Sequence, residues 1–184
     1  MLRMKKVLSC VLLIIGVVFI ANAQNKSFNR FYNSFGLSFG GAPNTNFTTK
    51  DFAIRSCEVG LGFRFTPDFA TFALSTADIN LMNATTTRNY NLTGTLGVGA
   101  IYSFDIGHRS YIEPVITCSS TYQKSDLNYL TPKFEVRWGV KIPWGGKFNF
   151  GQYVGIGIQY IHPYDSSTVP NMAIAYATIG FYVL

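Results

Sequence analysis

Charged residues are scarce in this chain, 13% of 184 positions, and there are only two histidines and three cysteines. Each shortage excludes something. His108 and His162 stand far apart with no Cys or carboxylate cluster beside them, so no metal-ligand spacing exists and no metal is expected. The net charge of +6 falls to +3 once Arg3, Lys5 and Lys6 of the N-terminal segment are set aside, and no basic cluster remains. That leaves no electrostatic case for nucleic acid. The 17 glycines alternate along apolar segments instead of opening a helix, so no phosphate-cradling loop stands out and no cofactor is expected. No Pro- or Ser-rich linker divides the chain, which reads as one domain. After the first twenty residues there is no further apolar run of helical length.

The exception, at the N-terminus, sets the compartment. A basic start (Arg3, Lys5, Lys6) precedes the apolar run Val7 to Ile20, and Ala21-Asn22-Ala23 is a small-x-small cleavage site. Residues 1–23 read as a cleaved secretory signal peptide. The competing reading, a retained anchor, needs a run of ~20 residues. Cys10 precedes the apolar run instead of ending it, which speaks against a lipoprotein signal. Residues 24–184 are then the exported domain.

What this domain has in abundance is alternation. In Lys133 to Ile142, KFEVRWGVKI, Phe134, Val136, Trp138, Val140 and Ile142 share one face of a period-2 strand, and Lys133, Glu135, Arg137, Gly139 and Lys141 share the other. A soluble sandwich could use one such strand. Recurrence along most of an exported chain, with charges of both signs on the polar side, predicts a transmembrane β-barrel, apolar toward lipid and polar toward the lumen. Eight antiparallel strands are expected in up-and-down order: Phe31–Gly40, Ile54–Thr66, about Ala70–Ala77, Asn89–Phe104, Tyr111–Tyr122, Lys133–Ile142, Lys147–Ile161 and Met172–Leu184.

The connections agree with that count. Thr66–Phe69, Asp105–Arg109 and Pro143–Gly146 are short and carry turn residues. Gly41–Lys50, Asp78–Arg88, Gln123–Leu130 and His162–Asn171 are longer and polar. Short periplasmic turns alternating with longer outer loops are a barrel property. Cys57 and Cys118 are both placed on the lipid side of strands that are not neighbours, so free thiols are expected; a disulfide is the alternative.

With its export signal, the strand opening Tyr111-Ile112-Glu113-Pro114, the charged-inside sixth strand and a C-terminal strand, the chain resembles the small bacterial outer-membrane barrels of the OmpA membrane-domain and OmpX type, and in particular the "porin family" barrels of Bacteroidetes. The resemblance implies the outer membrane of a Gram-negative cell. Such barrels often end in an aromatic residue, whereas this chain ends Phe181-Tyr182-Val183-Leu184; Tyr176, Tyr182 and Leu184 stand in as the terminal signal. The last strand is apolar on both faces, and its register stays open.

Function would show in the interior. Glu58, Arg64, Glu113, Lys133, Glu135, Arg137 and Lys141 all point inward on this register. An eight-stranded interior is just wide enough for side chains to fill it, so a salt-bridged plug is expected, with a narrow ion-conducting path as the alternative. Interior glycines (Gly60, Gly62, Gly97, Gly99, Gly155, Gly157) suit either a cavity or long side chains lying opposite them. Lipid A acyltransferases and deacylases are the enzymatic alternative, with His162–Ser167 or His108-Arg109-Ser110 as their residues. An ordinary polar loop and turn explain both stretches, and no catalysis is expected. The Asn/Thr-rich outer segments Asn44–Thr49 and Asn83–Arg88 favour contact over chemistry. The expectation is a monomeric scaffold in outer-membrane lipid, with a structural or surface-interaction role.

Overall fold

The computed structural model describes residues 30–42, 52–84, 87–122, 128–144, 148–164 and 171–183. The signal-peptide reading, most of the outer loops, Gly145-Gly146 and Leu184 lie outside these residues. Among them the strands are β1 (Phe31–Ala42), β2 (Phe52–Arg64), β3 (Phe69–Ala84), β4 (Thr87–Tyr102), β5 (Phe104–Gly107), β6 (Ser110–Thr121), β7 (Tyr129–Trp144), β8 (Phe148–Pro163) and β9 (Met172–Val183). Strands β4 and β5 are one barrel strand interrupted at Ser103, since both pair with β6. The count is thus eight barrel strands. Every pairing is antiparallel between chain neighbours, and β1 pairs with β9 to close the sheet. Closure removes the unpaired edges that lipid could not satisfy.

The register fixes the barrel's dimensions. Stepping sideways from Phe31 leads through Phe63, Thr71, Ala100, Ile116, Phe134, Ile158 and Ala175 to Gly41. One circuit therefore returns ten residues further along β1. A shear of ten over eight strands gives a strand tilt of about 40° and a backbone radius of about 8 Å.

The outer face is apolar and bare, with Ile156 73% and Leu92 69% exposed and Val98, Ile158 and Ile116 close behind. Apolar exposure on this scale marks a surface that water does not cover. At the short-turn end the face turns aromatic: Phe31, Tyr102, Phe104, Trp138 and Phe181 are all exposed there. Phe181 packs against Phe35 at 5.2 Å and Phe150 at 5.3 Å between ring centroids. This is the interfacial girdle of a membrane barrel. Cys57 and Cys118 are free thiols, on β2 and β6.

Several boundaries differ from the sequence reading. β3 does not stop near Ala77 but runs to Ala84, and β4 starts at Thr87, so Asp78–Arg88 is mostly paired strand instead of a long loop. Thr76 and Asp78 are both buried in the lumen, so the inward parity of the strand continues through Asp78, where the sequence reading began a loop. The β3–β4 pairing consequently runs on to Ala84 and Thr87. β7 begins at Tyr129, β8 runs to Pro163, and β5 carries pairing to Gly107, leaving His108-Arg109 as the turn. Both turn residues have positive φ, 52° and 64°, the backbone of a two-residue hairpin whose twist matches the strands. The last strand is also resolved: Tyr176 and Tyr182 face inward and Ala175, Ala177, Ile179 and Phe181 outward. Tyr176 and Tyr182 therefore make no lipid-facing terminal signal.

Candidate functional site in the barrel interior

Six of the seven proposed interior residues are buried in the lumen: Glu58, Arg64, Glu113, Lys133, Glu135 and Arg137. Lys141 lies at the periplasmic rim, half-buried, with its Nζ 4.0 Å from Asp105. Four of the six form one cluster. Arg137 is 1% exposed, and its Nε donates to Glu135 Oε1 at 2.8 Å. Its Nη2 reaches Glu58 Oε1 at 3.4 Å, and Nη1 reaches the Tyr32 hydroxyl at 3.5 Å. The guanidinium also lies 4.3 Å from the centre of the Tyr153 ring. Lys133 Nζ meets the other Glu58 oxygen at 3.4 Å, and the Tyr176 hydroxyl donates to Glu135 Oε2 at 3.1 Å.

The geometry of this cluster follows from the closed sheet. β7 and β2 are four strands apart in a ring of eight, diametrically opposite. A side chain from each wall therefore meets in the middle only because Arg and Glu are long and the radius is about 8 Å. Glu113 faces Arg137 across the β6–β7 register but is not its ion-pair partner. It instead accepts from Ser103 Oγ and, at 3.1 Å, from the Tyr182 hydroxyl. Arg64 stacks over Tyr32 and donates to the Pro67 carbonyl.

Glycines make the room. A Cβ at Gly139 would sit 2.1 Å from the Tyr111 ring, and one at Gly155 would sit 2.6 Å from Glu135 Oε1. At these positions the small residues accommodate long ones. Sequence reasoning missed the extent of the tyrosine set: Tyr32, Tyr111, Tyr153 and Tyr182 are buried in the periplasmic half of the lumen, with ring centroids 5.6 to 6.3 Å apart. It also missed Asp78, which accepts from Tyr129 OH at 2.7 Å across the lumen. Parity along a correctly extended β3 would have found it.

The histidine motifs are not brought together with the interior. His162 Nδ1 is 2.8 Å from Asn171 Oδ1 on the outer rim, and Asp165–Ser167 lie outside the described residues. His108 is in the periplasmic turn. The Tyr164 hydroxyl shares a hydrogen bond of 2.6 Å with Ser120 Oγ.

No family model and no curated protein matches the sequence. Solved structures do. Neisserial surface protein A is similar over 86% of this chain and 99% of its own, at 19% identity and a TM-score of 0.54. Outer membrane protein AlkL aligns over 88% and 94%, at 12% identity and a TM-score of 0.46. OprG of Pseudomonas aeruginosa aligns over 84% and 92%, at 7% identity and a TM-score of 0.44. At such identities the likeness is one of fold. The chain is a small, closed eight-stranded antiparallel barrel, the fold it shares with Neisserial surface protein A.

Proposed function

We propose that this barrel is a non-conducting scaffold whose work is done at its outer rim, through contact with a protein or another surface ligand. The observation that carries the reading is Arg137. Its guanidinium lies at the centre of the lumen, bonded to Glu135 on its own strand, to Glu58 on the opposite strand and to Tyr32, and stacked on Tyr153. An ion crossing the barrel would have to break this cluster, and removing one partner of a buried ion pair costs about 3–5 kcal/mol. The rigid wall then presents the rim, including the long β3–β4 hairpin, above the membrane. Kinship with the "porin family" barrels belongs to the same proposal, without the conduction that the label suggests. So do a monomeric state and the lack of catalysis; His162 is already engaged by Asn171.

The test is conductance of the refolded mature barrel in a planar bilayer, with Glu135→Gln and Arg137→Gln alongside. A silent wild-type bilayer with insertion verified is the expected result. Discrete wild-type steps whose ion selectivity shifts with those variants would overturn the scaffold reading in favour of a narrow channel.

A further inference from the structure

The lumen's unpartnered polar atoms fall at two levels. In the periplasmic half they are Arg64 Nε and Nη2 and Glu113 Oε2. These are opposite charges separated by about 4 Å of barrel height on the register, and a bridging water suffices. In the outer half they are Ser56 Oγ, Asp78 Oδ1, Thr117 Oγ1, Thr131 Oγ1 and both amide atoms of Gln159. These five residues are at most 8% exposed and come from β2, β3, β6, β7 and β8. Ser56 lies opposite Asp78 in the register, and Thr117 and Gln159 flank Lys133 from either side. With a shear of ten, all five fall within about 9 Å of barrel height.

By parity and register all five face one stretch of the lumen, the outer chamber. The ion pair of Lys133 and Glu58 lies at its inner end, and the apolar cluster of Ile54, Tyr129, Ile161 and Ile174, with Met172 against it, at its outer end. Serine and threonine are too short to meet across a lumen of this radius. Left dry, the chamber would hold six buried unsatisfied atoms at about 1–3 kcal/mol each, a sum comparable to the whole stability of a domain. Water must enter. The charges decide what enters with it. Glu58 and Glu135 are matched by Lys133 and Arg137, and Glu113 shares its level with Arg64. Among the described residues Asp78 faces no cationic side chain; its bonded oxygen accepts from Tyr129. One carboxylate among neutral oxygens suits a singly charged cation, whereas Ca²⁺ calls for more carboxylates and Mg²⁺ keeps a stricter octahedron.

We propose that the outer half of the lumen holds a hydrated monovalent cation against Asp78, with Ser56 beside Asp78 in the register and Thr131 and the Gln159 carbonyl reached through water. This goes beyond the scaffold reading, because it is an equilibrium site requiring no current. The experiment measures urea unfolding of the refolded mature barrel in detergent, with KCl replacing choline chloride at constant ionic strength. Above the dissociation constant, the wild-type folding constant should rise tenfold for each tenfold rise in K⁺. Asp78→Asn should abolish that dependence, and Glu113→Gln, in the other half, should keep it. A wild type indifferent to the exchange of choline for K⁺, or an Asp78→Asn barrel with the full response, overturns the proposal. Should Asp78→Asn fail to fold, wild-type crystals soaked in Rb⁺ decide it. An anomalous peak inside the chamber supports the site, and none there sinks it.

Discussion

The two halves of one lumen are filled by opposite means. Toward the periplasm, Tyr32, Tyr111, Tyr153 and Tyr182 pack ring against ring beside Phe72, Leu74, Ile101 and Val115. Toward the outside, at the same radius, stand Ser38, Ser56, Thr76, Thr95, Thr117, Ser119 and Thr131. Large amphipathic rings consume the volume and bring their own hydroxyl donors. Small hydroxyl residues reach only near neighbours: Thr76 and Thr95 bond to each other, and Ser56, Thr117 and Thr131 are left without a side-chain partner. The ion cluster around Arg137 is the partition between the two. Shear and strand number set the width of a barrel, but residue size decides whether that width is solid or wet.

The partition is the first thing to break. Arg137→Leu leaves Glu135 and Glu58 without their shared partner and should destabilise the barrel by about 3–5 kcal/mol, read as a fall in the urea midpoint. Adding Glu135→Gln to it should recover much of that loss, because Glu58 keeps Lys133 as its partner and no stranded charge is left. The frame outside both halves comes next. Val136→Arg places a charge on the lipid face and should cost ~2–4 kcal/mol if it lies near the midplane, seen as lost heat-modifiable migration after refolding. The contrast itself is sharpened by a pair of substitutions that each alter one methyl-sized group. Gly139→Ala drives a Cβ into Tyr111 and should cost about 1–3 kcal/mol as overpacking. Thr117→Val, which removes a hydroxyl without a side-chain partner, should change stability by under about 1 kcal/mol. Equal costs would mean that the outer half is packed as tightly as the inner. Smallest is a gain: Asn-Gly in place of His108-Arg109 relieves two residues of positive φ and should add about 1 kcal/mol, as a higher midpoint at unchanged slope.

How much of this could be read without coordinates depended on what each face carried. β7 was legible because its inward residues are charged and its outward ones are not, so parity alone separated Arg137 from Val136. β9 was not, because tyrosine has an apolar body and a polar tip and suits either face; Tyr176 turns inward to reach Glu135. β3 was cut short because Asp78, the start of a polar stretch with Asn80 and Asn83, looks like the onset of a loop. The partners across the lumen were illegible in principle. Glu135 is a local partner, two residues away on the same face, but that Glu58 also meets Arg137 depends on the shear, a sum over all eight registers. The one cross-strand neighbour that local pairing offers, Glu113, turned out to pair elsewhere.

The bond between Arg137 and Glu58 joins residues 79 positions apart in the chain and opposite in the ring. No single hairpin can make it. A β1–β2 hairpin entering the bilayer alone would carry Glu58 with its cations still outside, and a β7–β8 hairpin would bring Lys133 and Arg137 with only Glu135 to offset them. Each partial sheet thus meets a barrier that only its distant counterpart removes. Contacts of such long sequence separation are slow to form. The charge at the centre of the finished barrel accordingly favours routes in which β2 and β7 enter the bilayer together.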